Sequence, residues 1–141
     1  MDFARLQADW SPRLLSVLRV IAALLFLEHG TQKLLGIPAA PAMEITLLSL
    51  DGIAGLLELI GGALLALGLF TRPVAFVLSG QMAVAYFLAH APQSFFPVLN
   101  GGEGAILYCF IFLYLAAAGP GAWALDAVMR SRWAASQSPN I

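Results

Sequence analysis

Apolar residues gather into four long stretches with few polar interruptions. Positions 14–35, 52–70 and 74–89 are apolar almost throughout, and a fourth run opens at Glu103, just after Asn100-Gly101-Gly102. An α-helix needs roughly 20 residues to cross hydrocarbon at 1.5 Å rise per residue. The pattern therefore predicts four spans, at about 12–35, 52–70, 73–91 and 102–118. Helix breakers separate them. Gly36-Ile37-Pro38 stops the first, Pro73 is a favoured first-turn residue for the third, Pro92 follows it, and Gly119-Pro120-Gly121 closes the fourth. The tail at 122–133 reads as an interfacial helix, with Trp123, Val128, Met129 and Trp133 toward lipid and Asp126, Arg130 and Arg132 toward water. At the other end, Phe3, Leu6 and Trp10 suit the same interface. The expected fold class is all-α: an integral membrane four-helix bundle with a C-terminal interfacial helix, one domain over 1–141.

Composition supports the membrane class. The chain is 60% hydrophobic and 11% charged, against roughly 45–50% and about 25% in soluble domains. A net charge of −1 disfavours nucleic acid as a partner, because that needs a basic surface. The single cysteine, Cys109, excludes a Cys-x-x-Cys dithiol mechanism within one chain and suits a small buried apolar role. The first apolar run carries Arg19 and continues through Glu-His-Gly-Thr-Gln-Lys without a small-residue cleavage pattern, so it reads as a retained helix rather than a signal peptide.

Arginine and lysine set the expected orientation. Arg5, Arg13, Arg72, Arg130 and Arg132 fall on one side, while the other has Lys33 near its rim and no lysine or arginine in the loop before Gly102. Both termini are expected in the cytoplasm, with loops 36–51 and 92–101 outside. The partner on every side is the lipid bilayer.

That orientation turns sequence positions into depths. Glu28, His29, Gln32 and Lys33 fall in the outer half of the first span. Glu58 lies about 9 Å below the outer end of the second. His90, Asn100 and Glu103 lie at the outer ends of the third and fourth. Arg19 and Gln81 are exceptions, in the inner half and near the middle. Glu28 and Gln32 share one helix face, and His29 and Lys33 share the adjacent one. Gly55, Glu58 and Gly62 share a face of the second helix, which turns Glu58 toward the bundle, where it needs Lys33, Arg19 or His29, or a proton. The candidate catalytic residues are His29, Glu58 and Glu103, and the candidate substrate-binding residues are Glu28, Lys33, Asn100 and Arg19. Polar residues between helices also serve simply as glue. A Glu58–Lys33 salt bridge and a bundle-tying Arg19 stand beside the functional reading. The two histidines, about 9 Å apart in depth, argue against a haem, and no ligand spacing on one element marks a metal site, so no metal is expected.

Three segments carry a family resemblance. The first span contains Arg19, Phe26, Glu28-His29-Gly30, Gln32 and Lys33. The second reads Gly55-Leu-Leu-Glu58-Leu-Ile-Gly61-Gly62 and ends Leu-Gly68-Leu-Phe70-Thr71-Arg72. The fourth opens Asn100-Gly101-Gly102-Glu103 and ends Gly119-Pro120-Gly121. Over residues 14–128 the chain resembles the DoxX family of small four-helix bacterial membrane proteins. The resemblance implies the bacterial cytoplasmic (inner) membrane and, loosely, redox work. DoxD-type relatives belong to thiosulfate:quinone oxidoreductase, and other members are linked to thiol or oxidative-stress systems. Two readings stay open. One is a quinone-linked oxidoreductase subunit that draws electrons from a redox protein partner, with quinone as the candidate cofactor. The other is a non-enzymatic membrane scaffold or assembly partner for a redox enzyme. A homo-oligomer is compatible with both.

Overall fold

The computed structural model describes residues 2–41 and 45–136. Residues 42–44 of the outer loop and the two ends of the 1–141 domain lie outside the described residues. All regular structure among those described is helical. The elements are α1 (Phe3–Leu35), α2 (Leu50–Leu67), α3 (Thr71–Ala85), α4 (Pro97–Asn100), α5 (Glu103–Ala118) and α6 (Leu125–Ser136), with α3 continuing into a wider π turn at Tyr86–His90. Three helical stretches are long and apolar enough to cross a membrane: Phe3–Leu35, Leu50–Leu67 and Thr71–His90. Helix α5 is apolar but shorter.

Helix α1 packs along α2, and α3 along α5; the two pairs meet where α2 touches α3 and, more slightly, where α1 touches α5. At the centre Phe26 of α1 meets Phe112 of α5 edge-on, with ring centroids 4.9 Å apart. Leu65, Leu78, Leu115, Ala23 and Ala75 fill in around them. Outward-facing positions of α1, such as Leu14, Ile21, Leu24 and Leu25, are exposed and apolar, which suits lipid and not water. Small residues set the α1–α2 approach. A Cβ on Gly30 would lie 2.5 Å from the backbone nitrogen of Leu59. No side chain fits at that position without moving one helix off the other.

The structure corrects several boundaries. Helix α1 starts at Phe3, not near Pro12, because Asp2 caps it by accepting from the Ala4 N–H at 3.1 Å. Its 33 residues span about 50 Å, so several turns extend beyond a hydrocarbon core about 30 Å thick. Helix α3 begins at Thr71, two residues before Pro73. The reason is Asp126, whose carboxylate accepts from the N–H groups of Phe70 at 2.8 Å and Thr71 at 2.9 Å. Asp126 is thus half-buried rather than fully turned to water. It caps a neighbouring helix, which pins the start of α6 against the bundle. Trp123, Val128, Met129 and Trp133 remain exposed, as do Arg130 and Arg132. Helix α4 was not expected. Pro97 at its start and Gly101 in the left-handed conformation (φ 67°) at its end define that single turn.

The end of the bundle next to α6 is tied by charged side chains on backbone groups. Arg19 is 1% exposed. Its Nε donates to the carbonyl of Pro120 at 2.9 Å, one terminal nitrogen donates to the carbonyls of Ala66 at 2.8 Å and Leu65, and the other donates to Trp123. Ser16 accepts from the Trp123 N–H and donates to the Pro12 carbonyl, both at 3.0 Å. Arg72 donates to the carbonyls of Ala116, at 3.0 Å, and Ala117 at the end of α5. Cations therefore sit at the C-terminal ends of α2 and α5, and an anion sits at the N-terminal end of α3, as the helix dipoles favour.

Partial burial alone would raise the Asp126 carboxyl. The N–H groups of Thr71 and Phe70 and the nearby Arg130 outweigh that and hold it below the usual carboxylate range. A depressed carboxyl stabilises the fold above its unfolded-state value, and the contribution fades as pH falls through the lower folded-state value. Asp126→Ala is expected to lower stability in detergent by about 1 kcal/mol at neutral pH, the typical cost of a lost N-cap. Thermal unfolding of the two proteins should converge below about pH 4; a gap independent of pH would mean that the cap acts without its charge.

Candidate functional site

At the opposite end of the bundle the helices line a cavity of about 700 Å³, within the range of small-molecule sites. Helix α1 contributes Phe26, His29 and Lys33, and α2 contributes the stretch from Leu50 to Glu58. Helix α3 and its π turn contribute Val77, Gln81, Leu88 and His90, and Gly101, Ala105 and Tyr108 close the far side. The π turn lies along the wall. Such wide turns inside α-helices often accompany functional sites.

The polar part of the wall is compact. Lys33 Nζ lies 2.7 Å from Glu58 Oε1. The Glu58 side chain is 3% exposed and that of Lys33 is 27% exposed. Gly30 lets α1 lie against the Glu58–Leu59 backbone, and Gly55 meets the Lys33 Cβ, so a small-residue seam on α2 delivers the carboxylate to the ammonium. Gln81 Nε2 donates to Glu58 Oε1 and to the Ala54 carbonyl, both at 3.3 Å. Among the described residues, Glu58 Oε2 and Gln81 Oε1 are buried without a hydrogen-bond partner. His29 packs edge-on against Tyr108, with ring centroids 6.4 Å apart.

Of the sequence candidates, the structure brings together His29, Lys33 and Glu58. It does not bring the others. Glu28 and Glu103 are exposed and absent from the cavity wall. Asn100 is buried but occupied: its Nδ2 donates to the Ser94 carbonyl at 2.7 Å, and its Oδ1 accepts from the Gly102 N–H at 2.8 Å. It shapes the turn into α5, and its own carbonyl meets His90 Nδ1 at 2.9 Å. Arg19 lies at the end next to α6 with all three nitrogens donating to carbonyls, so it ties the bundle and does not line the cavity. Sequence reasoning set Gln81 aside as a mid-span exception. Its signal was available: an amide deep in an apolar helix requires partners, and Glu58 was the nearest unsatisfied group at similar depth. Tyr108 also forms part of the wall. Cys109 is half-buried beside the core, and its carbonyl accepts from Ser79 Oγ at 2.9 Å.

A family model described as DoxX matches residues 14–91. A protein of Haemophilus influenzae, described only as uncharacterized, is 43% identical over 128 residues, covering 83% of this chain and 91% of its own length. The chain belongs to the DoxX family. The inner membrane protein YqjF of Escherichia coli is 28% identical to this DoxX chain over 129 residues, covering 83% of it and 92% of YqjF. No solved structure matches. The DoxX match includes Lys33, Glu58 and Gln81 and ends one residue after His90, so the polar wall of the cavity lies within it and the α5 side lies beyond. The three membrane-length helices agree with a membrane protein, as YqjF is described.

The Lys33–Glu58 pair makes a direct prediction. Removing one member of a buried pair costs roughly 3–5 kcal/mol, and Lys33, partly open to the cavity, belongs at the lower end. Lys33→Met should therefore destabilise the detergent-solubilised protein by about 3 kcal/mol, with Lys33→Met/Glu58→Gln recovering much of the loss. If the double variant is as unstable as the sum of the single ones, the two side chains do not interact as the distance implies.

Proposed function

We propose that this DoxX protein is a four-span protein of the bacterial cytoplasmic membrane, with both termini in the cytoplasm, that binds a quinone in the outer cavity on behalf of a redox partner. In this reading α5 is the fourth span. Its 16 residues cover about 24 Å, short of an average core and accommodated by local thinning. Arg5, Arg13, Arg72, Arg130 and Arg132 on the inner face support the orientation.

One observation carries the quinone reading: a cavity of about 700 Å³ with mostly apolar walls, on which Lys33, Glu58 and Gln81 form one hydrogen-bonded cluster and His29, Asp51, His90 and Tyr108 are the other polar side chains. A flat lipophilic ring matches the walls, and its oxygens match the cluster. Ile53 of α2, Val77 and Val84 of α3 and Leu88 of its π turn line the cavity and are themselves exposed, which supports entry from lipid between those helices. A quinone supplies two-electron, two-proton chemistry when bound. The residues of this chain bind and orient it. Lys33 has two N–H donors beyond the one given to Glu58, Glu58 holds a proton-accepting oxygen, and His29 stands on the same wall to exchange protons outward. Electrons come from the partner. The second reading, a scaffold without chemistry, draws support from Phe95, Phe96, Val98 and Leu99, which are exposed around α4 at the outer end (Phe95 88%) and would suit a docked protein.

Two experiments test this. A reporter active only in the periplasm should be silent when fused after residue 141 and active when placed within 92–96; the reverse pattern inverts the topology. Organic extraction of protein purified in mild detergent should yield a quinone. If extracts contain none and the protein shows only aromatic absorption, the scaffold reading takes its place.

A further inference from the structure

The cluster of Lys33, Glu58 and Gln81 is unbalanced in its hydrogen bonding. Its donors and acceptors do not match, and the mismatch lies on buried atoms. Glu58 Oε1 takes Lys33 at 2.7 Å and Gln81 Nε2 at 3.3 Å, while Glu58 Oε2 takes nothing. The Gln81 amide cannot be turned over to help. Its nitrogen faces two acceptors, Glu58 Oε1 and the Ala54 carbonyl, so the oxygen must occupy the other position, where it too has no donor. Two acceptor oxygens on one cavity wall are thus left unpaired, and buried unpaired polar atoms are costly.

We infer that the cavity takes its ligand as a hydrogen-bond donor, the hydroxylated hydroquinone form rather than the quinone, because two buried oxygens on its wall, Glu58 Oε2 and Gln81 Oε1, lack a donor. This rests on the quinone reading above and assigns which form the site selects. Each hydroquinone hydroxyl brings one O–H donor, which an orphaned oxygen can accept. A quinone brings only acceptors; its oxygens find Lys33, but they leave both wall oxygens unpaired and set lone pairs against a carboxylate. Sites built to bond a ligand hydroxyl reject analogues that lack it far more strongly than apolar pockets reject a change of shape.

The test is binding, not turnover. Three probes share one ring and one decyl chain: a hydroquinone, its dimethyl ether and the parent quinone. Each is titrated anaerobically into the full-length protein in detergent and followed by tryptophan and tyrosine fluorescence. The hydroquinone should bind about ten- to a hundredfold more tightly than either of the others. In Gln81→Met, which keeps the length of the side chain and removes its oxygen, the preference should shrink severalfold while the ether binds at least as well as to wild type. Glu58→Gln adds a donor to the wall and should favour the quinone; because it also alters the Lys33 pair, the Gln81 variant keeps the inference testable if this one does not fold. Equal affinity for all three probes overturns the inference and leaves the quinone reading standing. Binding of none of them overturns both.

Discussion

The buried guanidinium of Arg19 is the contact that holds the two halves of the chain in one arrangement. A cation taken out of water and lipid headgroups costs several kcal/mol unless its donors are met. Here they are met by backbone carbonyls from two separate places: Leu65 and Ala66 near the end of α2, and Pro120 and Trp123 in the link between α5 and α6. One side chain thereby joins α1 to α2 and to the segment after α5. The path of that segment then lets Asp126 reach the start of α3. Without the guanidinium, the carbonyls at the end of α2 and in the following link would face each other as like dipoles.

The two ends of the bundle solve the problem of polar groups in an apolar surround in opposite ways. At the end next to α6, charged side chains meet backbone groups left over at helix termini, which need such partners. Arg19, Arg72 and Asp126 all act in this way, and the end is closed. At the cavity end, side chain meets side chain. Lys33, Glu58 and Gln81 contribute more acceptors than donors, so oxygens remain beside an open cavity. Rigidity at one end allows the other to stay open, because α1 and α2 are held together by their glycine seam and by Arg19 and do not need the cavity filled in order to pack.

The sequence made three membrane-length helices legible because apolar length and helix breakers are local properties. It also brought out the pairing of Glu58 with the first helix, since glycines beside a lone acid in an apolar run turn it inward and the candidate cations were few. Four features were not legible. Asp126 looked like the polar face of an amphipathic helix; its role as a cap on α3 depends on a contact 55 residues back along the chain, which no local pattern records. Depth counting placed Glu28, Asn100 and Glu103 beside His29, but depth says nothing of azimuth, and Glu28 and Glu103 are exposed and do not line the cavity. Gln81 was set aside because its depth was compared with the polar cluster near the membrane surface and not with the other end of the Glu58 side chain. Helix α4 is a single turn, too short for any periodic signal.

The Arg19 contact also has a place in time. A membrane protein enters the bilayer as it is made, and the first span carries its arginine inward before any of the acceptors exist. The nearest in sequence, Leu65, follows 46 residues later and the last, Trp123, 104 residues later. At about 5–20 residues per second, the guanidinium waits roughly 5–20 s for its full set, held meanwhile by water and headgroups near the inner surface, toward which a long side chain can reach. The residue that finally locks the bundle is thus made early and gains its last partner only after the link that follows α5 has been made.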